Sequence, residues 1–225
     1  MENEEKRLTS ELVEKLGLDK LEVITSDMLD RYTSIGIYAF SRCSGLTSVT
    51  IPNSVTSIGG AAFYDCRGLT SVTIQNSVTS IGYGAFSRCI GLTSVTISNS
   101  VTSIGECAFY RCYKLKSIVI GDKTYEIQKV TNGKCKAYKA FKADLTCRDF
   151  QYEEGKTYEI DCESKLCNRG FHACLNLLDV FDYYYGEFGK DIVIHEVELE
   201  GVSDERDEDN SKVVAKKIKI GKRIL

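Results

Sequence analysis

Four zinc-type ligands, Cys162, Cys167, His172 and Cys174, fall within 13 positions of one another. Thiolate and imidazole are what a tetrahedral zinc ion favours. The gaps of four, four and one residues differ from the paired two-residue spacing of a zinc knuckle. Buried cysteines beside a hydrogen-bonded histidine are therefore the competing reading, and no metal or cofactor is assigned. A second pairing, Cys174 with His195, offers a thiol and a base for nucleophilic catalysis. The chain has only two histidines, and nothing in its sequence orders that pair. It has no lysine-bearing Gly-rich phosphate loop and no paired-cysteine nucleic-acid module.

Four further cysteines, Cys43, Cys66, Cys89 and Cys112, recur every 23 residues, and so does everything around them. Thr33-Ser34-Ile35-Gly36 returns at Thr56, Thr79 and Thr102, Phe40 returns at Phe63, Phe86 and Phe109, and Leu46 to Ile51 returns at Leu69, Leu92 and Leu115. Leu46, Val49 and Ile51 have the spacing of a short strand that points apolar residues into a stack of repeats. Ser48 and Thr50 then point outward. Ile35 to Cys43 has helical spacing and is expected to form the opposite wall as a turn or short helix, with Gly36 and Gly45 at tight corners. The cysteine column reads as a buried ladder of small residues, with a metal site or disulfides as rivals. No unit buries its own core, so neighbours must stack.

This pattern, Ser-Ile-Gly-x-x-Ala-Phe-x-x-Cys-x-x-Leu-Thr-Ser-Val-Thr-Ile-Pro-Asn-Ser-Val, resembles the BspA-type leucine-rich repeat over residues 33–120. The resemblance implies a solenoid of short parallel strands that mediates binding rather than chemistry. Surface members of that family carry a signal and an anchor, and neither is read in this chain. The expected domains are an N-terminal helical cap with a degenerate repeat (1–32), four repeats (33–124) and an α+β domain (125–225). In the cap, Leu8, Leu12 and Leu16 suggest an amphipathic helix, and Met28 and Tyr32 take the places of Ile51 and Val55. The candidate binding surface is the concave face, Ser48, Thr50, Ser71, Thr73, Ser94, Thr96 and Ser117, with a solvated strand face as the alternative. Arg42, Asp65, Arg88 and Arg111 form a column on the other wall and read as a solvated row.

Residues 125–225 carry 17 basic and 20 acidic side chains. Alternating runs at 157–160, 192–199 and 212–220 suggest strands, the last two a hairpin around a charged loop, and 175–185 suits a helix. Ala137-Tyr138-Lys139-Ala140-Phe141 and Gly170-Phe171-His172-Ala173-Cys174 resemble an uncharacterised phage and gut-bacterial domain, over about 134–222. That resemblance implies a phage or prophage setting and no established activity. Gly170-Phe171-His172, followed by a helix ending in Tyr183-Tyr184-Tyr185, also resembles the segment lining the nicotinamide pocket of ADP-ribosyltransferases. It would require a late catalytic glutamate such as Glu196, Glu198 or Glu200.

Lys+Arg 29 against Asp+Glu 32 gives a net charge of -3, unlike a strongly basic nucleic-acid binder. No apolar run reaches the roughly 18–20 residues of a membrane-spanning helix. The N-terminus, Met1 to Arg7, is charged, so a cytoplasmic location is expected. The leading expectation is a non-enzymatic interaction protein that binds, and could inhibit, a host or viral protein through the solenoid and the C-terminal domain. An enzyme or nucleotide-binding site around His172 is the alternative.

Overall fold

Ser-Val-Thr-Ile alternates small polar with β-branched residues, so it buries one face and wets the other. It forms the longer strand of each coil. In chain order the coils hold β1 (Arg7–Leu8) and β2 (Val23–Ile24), β3 (Ser34–Ile35) and β4 (Ser48–Ile51), β5 (Ser57–Ile58) and β6 (Ser71–Ile74), then β7 (Ser80–Ile81) and β8 (Ser94–Ile97), β9 (Ser103–Ile104) and β10 (Ser117–Ile120), with β11 (Lys123–Glu126) following. They make two sheets, β1-β3-β5-β7-β9 and β11-β10-β8-β6-β4-β2. Register is letter on letter and parallel: Ser48 with Ser71 with Ser94, Ile51 with Ile74 with Ile97. The computed structural model describes residues 6–147, 150–160, 171–177, 179–180, 192–203 and 212–224. Two units divide the chain, 1–125 and 126–225.

Phe40, Phe63, Phe86 and Phe109 stack inside the coils, ring centroids 5.0, 5.1 and 5.4 Å apart and nearly coplanar. The wall carrying these rings, expected as a turn or short helix, is made of the two-residue strands and turns. It has its own ladder: the N–H groups of Tyr38, Phe40 and Arg42 donate to the carbonyls of Gly60, Ala62 and Tyr64 at 3.1, 2.7 and 2.7 Å. That ladder requires left-handed backbone at two places per coil. The residues there are mostly not glycine: Tyr38, Arg42, Ala61, Asp65, Arg88, Cys107 and Arg111 have φ between 51° and 63°. Glycine is used instead where coils nearly touch. A Cβ on Gly82 would stand 2.6 Å from the Gly60 nitrogen, and one on Gly91 2.6 Å from the Arg67 carbonyl.

The first coil departs from the expected cap. Leu8 is buried on β1 rather than on a helix, and Leu16 is exposed. The helix is α1 (Ser10–Lys15), whose N-cap Thr9 accepts the Leu12 N–H at 3.3 Å. The Thr9 hydroxyl thus satisfies one of the otherwise orphaned donors of the first turn. Met28 does not replace Ile51. Ile24 pairs with Val49, and Met28 is exposed within α2 (Ser26–Leu29). The offset between coils is 25 residues at Glu22 and Leu29 and returns to 23 at Thr33, so the first coil carries two extra residues between the end of α2 and Thr33. Tyr32 is buried.

The second unit contains β12 (Lys134–Lys142), β13 (Thr146–Cys147), β14 (Phe150–Gln151), β15 (Thr157–Glu159), β16 (Phe171–Cys174), β17 (Ile192–Val202) and β18 (Lys212–Arg223). β16, β12, β17 and β18 pair antiparallel in sequence, and β18 returns to β16, so the four close on themselves. β15 extends β18. Phe141, Phe171, Val193, Val197, Val213 and Ile218 are among the core residues. β17 and β18 pair as a hairpin would, while the charged loop expected between them and most of the expected 175–185 helix lie outside the described residues.

Candidate functional site

The seven predicted hydroxyl residues lie on β4, β6, β8 and β10, where Ser48, Ser71 and Ser94 form one row and Thr50, Thr73 and Thr96 another. The threonine row ends where Val119 stands opposite Thr96. Thr73, Ser94 and Thr96 are exposed, and Ser48, Thr50, Ser71 and Ser117 half-buried. The rows alternate with buried Val49, Val72 and Val95. An open cleft of about 810 Å³ runs beside them, lined by Asn53, Asn76, Asn99, Thr96, Ser100 and Asp122 among others. Of the predicted face, Thr96 lines it. The face is uniform over β4, β6 and β8, which offer the same two hydroxyls, while β10 keeps only Ser117.

The cysteine column is occupied internally. The Sγ atoms of Cys66, Cys89 and Cys112 donate to the carbonyls of Phe40, Phe63 and Phe86 at 3.0, 3.1 and 3.2 Å. Burial pushes the Cys43 thiol up to about 11 and Cys66 up to about 12, and raises Cys89 further. For Cys66 the neighbouring Cys43 adds to burial. All four are free thiols, and burial keeps Cys43, Cys66 and Cys89 protonated at neutral pH and poor nucleophiles. Their role is to bond one coil to the next.

The turn wall differs from coil to coil; its column of Arg42, Asp65, Arg88 and Arg111 was expected as a solvated row, and its exposed rings were not marked. Ile37, Tyr38, Tyr83 and Tyr113 are 64, 57, 63 and 70% exposed, with Ile90 and Tyr110 also exposed. The Arg88 guanidinium lies 5.7 Å from the Tyr64 ring centre and Arg111 5.2 Å from that of Tyr110. Asp65 is paired with Arg67, Nε to Oδ1 2.9 Å. The signal was present in the repeat itself. The letters at 37, 38, 41, 42 and 44 and their copies vary between coils and lie on this wall, while Pro52, Gln75, Ser98 and Gly121 vary at one further position, the last three lining the cleft.

In the second unit the predicted chemistry separates. Cys162 and Cys167 lie outside the described residues, as do Tyr183, Tyr184 and Tyr185. Among the described residues no three His, Cys, Asp or Glu side chains gather as metal ligands. Cys174 pairs with Tyr138, and His195 with the next residue, Lys139. Successive strand residues face opposite ways, so Cys174 and His195 stand on opposite faces of the sheet and cannot act as a nucleophile and its base. Glu196, Glu198 and Glu200 alternate with buried Val197 and Leu199, which puts all three on the face of Cys174. His172, half-buried on β16, is on that face too, two residues from Cys174.

Among the described residues of the second unit the buried polar side chains are Lys139 and His195, 3% and 2% exposed. The Lys139 Nζ donates to the His172 carbonyl at 2.9 Å and stands 5.6 Å from the Phe141 ring centre. The His195 Nδ1 lies 2.8 Å from the Gly221 carbonyl, and the ring meets Phe141 edge-on at 5.7 Å. Glu154 approaches Nδ1 at 3.8 Å. His195 appeared in the sequence reading only as a base, and no spacing marked Lys139 as buried. No helix among the described residues is long and apolar enough to cross a membrane.

Residues 19–139 match the BspA type leucine rich repeat region in six copies, and residues 135–225 match a domain of unknown function (DUF7666). The chain is similar to the solved T. pallidum leucine rich repeat protein, 26% identical over 45% of this chain and 55% of that one, TM-score 0.40. It is also similar to a leucine rich cell surface protein from Faecalibacterium prausnitzii, 29% identical over 44% of this chain and 32% of that one, TM-score 0.35. It therefore spans about half the length of the first and a third of the second. No curated protein matches it. The resemblances to the BspA-type repeat and to an uncharacterised C-terminal domain both hold, and by its repeats the chain belongs to the BspA type leucine rich repeat family.

Proposed function

We propose that the chain is a non-enzymatic protein-binding module whose coil stack holds a partner protein on the turn wall, with the hydroxyl rows from Ser48 to Ser117 as a second, less selective strip. One observation carries the reading. The side chains that interfaces favour, tyrosine and arginine, occupy the positions that vary between coils and are exposed there. The repeated cysteines and the backbone of the turn wall bond from coil to coil inside the stack, so the variable letters are where one such stack differs from another. A contact of this kind acts by area and shape, occluding whatever surface of the partner it covers.

The test is capture with three forms of the full chain: the unaltered protein, a Tyr38→Ser, Tyr83→Ser, Tyr113→Ser variant, and a Thr50→Arg, Thr73→Arg, Thr96→Arg variant. The reading expects one recurrent partner that is lost with the tyrosine variant. A partner lost only with the threonine variant moves the site to the hydroxyl face. Identical proteins on all three forms would sink the reading.

A further inference from the structure

The turn wall has a charge pattern as well as rings. It carries five cations, Arg42, Arg67, Arg88, Arg111 and Lys114, against two carboxylates, Asp65 and Glu106, in a chain whose net charge is -3. Asp65 is already engaged by Arg67. Arg42, Arg88 and Arg111 are exposed and occupy one column, each with φ near +60°. Glycine or asparagine would sit in that conformation with less strain. Arg88 and Arg111 also lie against tyrosine rings. A ring engages the flat face of a guanidinium and a carboxylate its edge, so one arginine can hold both.

We infer that the turn wall binds an extended acidic polypeptide segment, its carboxylates paired with Arg42, Arg88 and Arg111 and its apolar side chains packed on Tyr38 and Tyr83. This rests on the protein-binding reading above and adds the chemistry of the partner. One coil step is close to the Phe40–Phe63 ring separation of 5.0 Å. Arg42 to Arg111 is three steps, about 15 Å, which about five residues of extended chain span at about 3.3 Å each. The column reads plus, minus, plus, plus. A nucleic-acid strand charged at every phosphate would meet Asp65, whereas a peptide can place a neutral or basic residue there. The exposed rings favour a ligand that carries apolar side chains.

A displayed library of random heptapeptides, selected on the immobilised full-length chain, tests this without presupposing a sequence. The enriched peptides are expected to carry excess Asp and Glu together with an apolar residue. A fluorescein-labelled copy of the winner should bind about tenfold more weakly to Arg88→Asn, Arg111→Asn, and more weakly at 0.5 M than at 0.05 M salt. Asparagine tolerates the left-handed backbone, so a matched melting curve will confirm that the variant folds. Peptides lost with Tyr38→Ser, Tyr83→Ser but free of any carboxylate preference overturn the acidic partner and leave the protein-binding reading intact. Tighter binding of a thymidine oligonucleotide than of the winning peptide overturns the inference in favour of nucleic acid. No enrichment of any peptide overturns it as well, and removes the wall from the protein-binding reading.

Discussion

The two units keep polar groups inside by opposite means. In the coil stack the buried thiol recurs, bonding the preceding carbonyl in three successive steps, and the hydroxyls of Thr47, Thr70 and Thr93 repeat the pattern at an exposed corner. In the second unit Lys139 and His195 each occur once and have no copy to share their load. Repetition makes stability close to a sum over neighbours, so a coil's loss is local and graded. A closed ring of long antiparallel strands has no equivalent spare. The contrast also says where selectivity sits. What repeats is scaffold, and most of what varies lies on the turn wall, where the proposed contact is placed.

The largest effect that could break this comparison is at the phenylalanine column. Phe63→Ala removes a fully buried ring stacked on both sides and should cost about 3–5 kcal/mol in urea unfolding. Phe109, stacked on Phe86 at its outer end and slightly exposed, should cost clearly less. Equal losses would contradict the neighbour-sum picture.

Next comes Lys139→Met, which leaves the His172 carbonyl without that donor. A loss of about 1–3 kcal/mol is expected, confined to the transition of the second unit, and an unchanged unfolding curve would show the buried lysine to be incidental.

The thiol ladder gives a pH window. At pH 7 Cys66 is protonated in both states. Above its ordinary value of 9.0 the unfolded chain releases the proton, whereas the folded chain holds it until about 12. Stability therefore falls as pH rises through that window, by about 1 kcal/mol from this group at pH 10. Cys66→Ala should flatten that part of the slope and leave the curve below pH 8 parallel to that of the unaltered protein. The smallest effect is at the outer corner. Thr70→Val removes a hydroxyl bond to a Thr47 carbonyl that also accepts the Thr70 N–H, so about 0.5 kcal/mol is expected.

How much of this was legible depends on repetition too. The strands, the buried letters and the cysteine column follow from a 23-residue period in which every copy reinforces the others. The first coil was misread at Leu8 and Met28 because its offset to the next coil is 27 residues at Leu8 and 25 at Ile24, reaching the 23 of the period only at Thr33. In the second unit β17 and β18 alternate visibly. β12 was missed because Lys-Cys-Lys-Ala-Tyr-Lys-Ala-Phe-Lys is buried on both faces near its end and shows no period of two. The Cys174 and His195 pairing failed for a reason no spacing reveals, since the sheet register alone sets which face each residue takes.

The close approaches at Gly82 and Gly91 also give the stack a mechanical character. Each marks a different corner where adjacent coils meet backbone to backbone. A single methyl group there would act as a wedge, opening the stack at that corner and tilting every coil beyond it. Alanine at position 82 and alanine at position 91 would therefore steer the rod in different directions, and the direction of a bend could be written into the chain by choosing which corner to prop open.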